Sequence, residues 1–165
     1  MTKGDTIMKR TICFDGPIYD HLQYAKDENS VECQRIKKVL TDKIDTLIKE
    51  GECVFMSGVR RGIEMWTAEI VLEKMELYPN VSLICVCPYE EQPTYWNENH
   101  RERYFTIHQL CTKLVMLNRH YENDIYQKLD NYLLEHCDTI VTLNSEESRL
   151  ARKAAQMNKL VLSID

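Results

Sequence analysis

Apolar residues follow two rhythms that alternate from one end of this chain to the other. Six short runs are rich in β-branched and aliphatic side chains: Thr11–Phe14, Cys53–Met56, Val81–Cys87, Lys113–Leu117, Thr139–Leu143 and Leu160–Ile164. They are continuous rather than alternating, the pattern of strands covered on both faces. Between them, apolar residues recur every three or four positions. Ile36, Val39, Leu40, Ile44, Leu47 and Ile48 form one stripe, closed by Gly51 as a C-terminal stop, and Ile125, Leu129, Tyr132 and Leu133 form another. The segment Ile63–Tyr78 is apolar nearly all round as far as Leu72, which predicts a helix buried on more than one side. Asn144, with Glu147 three residues on, is expected to cap the last helix.

Strand and helix thus alternate throughout. The alternation predicts a mainly parallel six-stranded sheet with right-handed crossovers and helices on both faces, a three-layer α/β fold of Rossmann-like type. A length of 165 residues suits one domain, and 1–165 is read as a single unit without repeat or linker.

Composition narrows the function classes. With 44% hydrophobic and 28% charged residues, the chain is that of an ordinary globular protein. A net charge of -5 gives no electrostatic reason to expect nucleic acid or an anionic membrane as partner. The longest apolar run, about seven residues, falls well short of the roughly twenty that span a bilayer. Met1–Arg10 has no apolar core, so no secretory leader is expected. Seven cysteines, an odd number, lie largely in strand-like runs and read as the reduced thiols of a cytoplasmic protein. Cys85 and Cys87 are expected on opposite faces of their strand, and the five histidines show no HExxH-type pairing. No metal site and no cofactor are expected, and association of identical chains is left open.

The leading candidate for chemistry is the turn Ser57–Gly62, between a strand and the helix that follows. Free N–H groups and the positive end of the helix dipole gather at such a turn. Gly58 and Gly62 would let a phosphate approach the main chain, and Arg60 and Arg61 would pair with it. The same residues suit an ordinary turn with two solvated arginines, but the carboxyl end of a parallel strand is where ligands of such sheets bind. Asp15-Gly16-Pro17, after the first strand, would form the other wall of a crevice with Gly16 and Gly58 at its floor, or serve simply as a turn. Gln92 and Trp96, in the loop Pro88–Trp96, either meet a base or pack as a lid. Glu64 and Glu69 are acids on a covered helix, suited to catalysis or ribose binding, although Glu64 also suits a helix start. His100-Arg101-Glu102-Arg103 reads as a solvated helix face.

The order of these pieces resembles the YpsA-like branch of the SLOG superfamily, Rossmann-like relatives of DprA and of the LOG-type nucleotide phosphoribohydrolases. The resemblance runs from about Arg10 to Ile164. It is carried by Cys13-Phe14-Asp15-Gly16-Pro17, by the stretch Phe55–Glu69 with Gly58, Gly62 and Trp66 in their spacing, and by Tyr78–Leu83 followed by Pro88, Gln92 and Trp96. It implies a protein that binds a nucleotide or nucleotide-derived small molecule, often as a sensor and without an assigned reaction. Gly16, Ser57, Gly58, Gly62, Glu64, Trp66 and Gln92 would then line or support the crevice.

Three departures from the family pattern stand out. Pro17 follows Gly16 directly, where a His-Arg is usual. Leu129-Asp130 stands where Arg-Asn is usual. Asn144-Ser145-Glu146-Glu147-Ser148 replaces a glycine-rich phosphate loop. The PGGxGTxxE signature of the phosphoribohydrolases is also absent. The expected ligand is therefore at most weakly anionic, a nucleoside or a base held at Ser57–Gly62. Two other readings stay open: an enzyme cleaving an N-glycosidic bond with Glu64 or Glu69 as acid or nucleophile, and a degenerate member acting as a structural or interaction subunit.

Overall fold

The first strand of the chain is a central strand of the sheet. In the computed structural model, which describes residues 8–17, 19, 23–143 and 148–164, β1 (Met8–Asp15) pairs with β2 (Gly51–Ser57) on one side and β5 (Thr139–Leu143) on the other. Beyond β2 lie β3 (Val81–Tyr89) and β4 (Lys113–Asn118), and beyond β5 lies β6 (Leu160–Ile164). The order is β4-β3-β2-β1-β5-β6 and every pairing is parallel. All six apolar runs of the sequence are strands, in a Rossmann-like three-layer arrangement.

The helices sort onto two faces by the parity of the strand residues they cover. Ile12 and Phe14 of β1, Phe55 of β2 and Leu83 of β3 join the core formed with α1 (Val31–Glu50), α2 (Ile63–Leu77) and α3 (Glu98–Leu110). Cys13, Met56, Val86 and Ile140, one residue out of phase, pack with α4 (Ile125–His136) and α5 (Arg149–Gln156). Cys85 and Cys87 both belong to the first core. Residues two apart on a strand share a face, which corrects the expectation that these two point opposite ways.

The helix signals are largely met. Ser30 caps α1 by accepting from the Cys33 N–H, and Gly51 closes it. In α2, Ile63 to Ala68 are all buried. At α5 the cap is Ser148, which accepts from the Ala151 N–H at 2.9 Å. Asn144 and Glu147, read from the sequence as the cap, lie outside the described residues, as does the rest of Asn144–Glu147. The two edge strands are more open than continuous apolar runs imply, with Leu114, Met116 and Leu160 exposed.

The His100–Arg103 stretch needs a fuller correction. His100 is buried, and Arg103 forks between two carboxylates, bonding Glu28 before α1 and Glu69 on α2, each through two nitrogens. Lys37 adds a third ion pair to Glu28 at 2.7 Å. The run is indeed helical, but the loop before α1 covers one side of it.

Candidate functional site

The sheet order sets the place of a ligand site. From β1 the chain steps outward through β2 and β3 to β4, then returns across the sheet to β5. Connections therefore diverge between β1 and β5, and crevices of open α/β sheets form outside the carboxyl ends of strands at such points. The main cavity of the described residues lies there. It encloses about 570 Å³, within the range of roughly 300–1,000 Å³ usual for small-molecule sites.

β1 supplies one wall. Asp15 shares its strand parity with Cys13, so its carboxyl turns toward α5, where the Ser148 hydroxyl donates to Asp15 Oδ2. Burial pushes the Asp15 carboxyl above the ordinary value, against the opposing pull of the Ser148 hydrogen bond and the Arg60 charge. Gly16 follows. A Cβ there would stand 2.7 Å from Ile63 Cγ1, so glycine lets β1 run up against the start of α2.

The turn after β2 supplies the floor, and it is folded upon itself. Val59 and Gly62 carry positive φ, at 54° and 94°. The Ser57 hydroxyl accepts from the Val59 N–H at 3.0 Å and donates to the Glu64 carbonyl at 3.1 Å. Glu64, in the first turn of α2 and 7% exposed, reaches back to the turn that precedes its helix. Its carboxylate accepts from the N–H of Gly58 at 3.3 Å and of Arg60 at 3.2 Å. It also accepts from Nε and Nη2 of Arg60. The N–H groups that would cradle a phosphate thus already hold a carboxylate.

Arg60 is equally committed. Its Nη2 donates to Asp130 Oδ1 of α4 at 2.9 Å, and Arg149 donates to Asp130 Oδ2 at 3.2 Å. Burial works against the Arg60 charge, but the two carboxylates outweigh it and hold the guanidinium firmly protonated. Gly58 does not reach the cavity. A Cβ on it would stand 2.6 Å from Leu129 Cδ2 and 3.3 Å from Glu64 Oε2, so its smallness serves packing against α4.

Of the residues singled out from the sequence, Asp15, Gly16, Arg60, Arg61 and Glu64 line the cavity together. Arg61 stands at its rim, with its guanidinium 4.6 Å from the centre of the Tyr19 ring and 5.3 Å from that of Trp96. Ser57, Gly58 and Gly62 shape the turn beneath. Gln92, buried, donates to the Gly58 carbonyl at 3.3 Å and accepts from the Tyr126 hydroxyl. Trp96 packs edge-on against Tyr104 behind Arg61. Trp66 belongs to the core, and Glu69 is taken up by Arg103 at the α2–α3 contact.

Pro17, Tyr19, Ile63, Asp130, Arg149 and Leu150 complete the lining among the described residues, and of these Tyr19, Arg149 and Leu150 went unmentioned in the sequence reading. Asp130 entered the sequence reading as half of the Leu129-Asp130 departure from the family pattern, not as a site residue. Among the described residues no group of three metal-ligating side chains comes together, and no helix is long and apolar enough to cross a membrane.

The model of the YspA SLOG family matches residues 22–160 of the chain. The UPF0398 proteins of Bacillus cereus strain AH820 and Bacillus thuringiensis strain Al Hakam are each 35% identical to it over 127 residues, 75% of this chain and 67% of theirs.

Proposed function

This chain belongs to the YspA SLOG family, and from that premise we propose that it binds the nucleoside part of a nucleotide-related small molecule at the end of β1, without turning it over. The observation that carries the reading is the state of the Ser57–Gly62 turn. A cavity of about 570 Å³, ample for a nucleoside, opens above it, yet the N–H groups of Gly58 and Arg60 are satisfied by the chain's own Glu64. An anion placed there would compete with a buried carboxylate already tied to Arg60. Glu64 and Glu69 are each engaged in an ion pair with an arginine, Arg60 and Arg103. The seven unpaired cysteines suit a cytoplasmic setting for such a protein.

Calorimetric titration with a nucleoside, its monophosphate and its triphosphate tests the reading. The nucleoside is expected to bind, and the phosphates to add less than about tenfold, or about 1.4 kcal/mol. Triphosphate affinity exceeding that margin would mean that an anion displaces Glu64, and the proposal would fail.

A further inference from the structure

We propose that Asp15 is the specificity-determining residue of this cavity, accepting hydrogen bonds from the vicinal hydroxyls of a ribose-type sugar. The inference rests on the reading of the cavity as a nucleoside site and deepens it.

Among the described residues three carboxylates line the cavity, and their hydrogen bonds separate them. Glu64 accepts from two backbone N–H groups and from two nitrogens of Arg60. Asp130 spends one oxygen on Arg60 and the other on Arg149. Asp15, among the described residues, accepts only from the Ser148 hydroxyl on Oδ2. A carboxylate offers about four lone-pair positions, so Asp15 keeps most of its acceptor capacity. Acceptor capacity in a ligand cavity calls for donors on the ligand.

The guanidiniums point the same way. Arg60 and Arg149 lean on Glu64 and Asp130, so the charges of those two carboxylates are already paired, while Asp15 has no ion pair among the described residues. Ammonium groups and hydroxyls both donate. Burial raises the Asp15 pKa, which weakens its hold on a cation more than its hydrogen bonding to a neutral hydroxyl. A vicinal diol supplies two such donors at a spacing one carboxylate can accept. Ser148, fixed as the α5 cap, holds the carboxyl in place from behind. At the rim, the Arg61 guanidinium lies over the Tyr19 ring.

The test is calorimetric titration of the intact protein with adenosine, guanosine, cytidine and uridine and their 2′,3′-dideoxy counterparts. At least one ribonucleoside is expected to bind, with its dideoxy counterpart about tenfold weaker or worse, a loss of about 1.4 kcal/mol. Asp15→Asn is expected to narrow that ratio to less than about threefold, because the amide nitrogen replaces one acceptor with a donor. Equal binding of the two nucleosides by the unaltered protein overturns the inference and leaves the nucleoside site standing. Failure of all eight to bind overturns both. The ligand comparison needs no variant, so equal binding overturns the inference even if Asp15→Asn folds poorly, and an unchanged ratio in a folded Asp15→Asn overturns it as well.

Discussion

Glu64 and Arg60 form a closed pair at the foot of α2, in which the carboxylate meets the guanidinium on one side and the N–H groups of the preceding turn on another. The chain carries its own anion where a Rossmann-like turn would otherwise receive one. Glu64→Ala should vacate that position. The variant should lose about 2–4 kcal/mol in chemical denaturation, since Asp130 still pairs with Arg60. Saturating phosphate should then restore about 1–3 kcal/mol to the variant and little to the unaltered protein. Equal phosphate stabilisation of both would show that Glu64 does not occupy an anion position.

The closeness of Gly58 to Leu129 makes a second prediction. Gly58→Ala should destabilise by about 1–3 kcal/mol through overpacking, because the new methyl would meet a buried leucine held between sheet and α4. Leu129→Ala alone should cost about 2–5 kcal/mol as a cavity. Combined, the two changes should cost clearly less than their sum, by about 1 kcal/mol or more. Strict additivity in urea unfolding would place the cost of Gly58→Ala elsewhere.

Acid sensitivity should centre on Glu28. Burial alone would raise its carboxyl, but Arg103 and Lys37 outweigh burial and hold it at about 2, against 4.5 ordinarily. Its folded value is depressed, so the unfolded chain takes up the proton first as pH falls. The stability from this group is complete above 4.5 and drains away toward 2. Glu28→Gln should therefore be less stable than the parent above 4.5, with the gap closing as pH approaches 2. Denaturation midpoints across that interval measure it, and a constant gap would contradict the assignment.

Asp15 has the opposite sign. Its raised carboxyl holds its proton more tightly in the folded chain than in the unfolded one, so stability is fullest below 3.8 and declines as pH rises through the folded value. Asp15→Asn removes that decline, and the amide oxygen still accepts from Ser148. Near neutral pH the variant should match or exceed the parent in stability. A loss above about 1 kcal/mol would make Asp15 a structural residue rather than one kept at some expense to stability.

The fold was legible because it follows from periodicity. Every strand lies where apolar residues run on, and α1, α2 and α4 lie where they recur at helical spacing. The site was legible only in part, because hydrogen bonding across distant segments decides it. The turn Ser57–Gly62 could be located, but not that Glu64 would fold back into it, since a glutamate one turn into a helix reads equally as a surface residue. Gly58 looked like room for a phosphate and proves to be room for Leu129, 71 positions away. Arg103 read as solvated because nothing local reveals that the loop before α1 would cover it. Tyr19 and Arg149 left no signal, since neither belongs to a patterned segment.

Arg103 has a consequence in time as well as in place. Its partners lie 75 and 34 residues away, on segments brought together by the packing of α1, α2 and α3 on the sheet. Bonds between segments so distant in sequence are expected to close after the rate-limiting step of folding. Arg103→Met should leave the folding rate nearly unchanged and hasten unfolding, read from the two arms of a denaturant chevron. The fork would then set how long the folded chain lasts, rather than how quickly it is made.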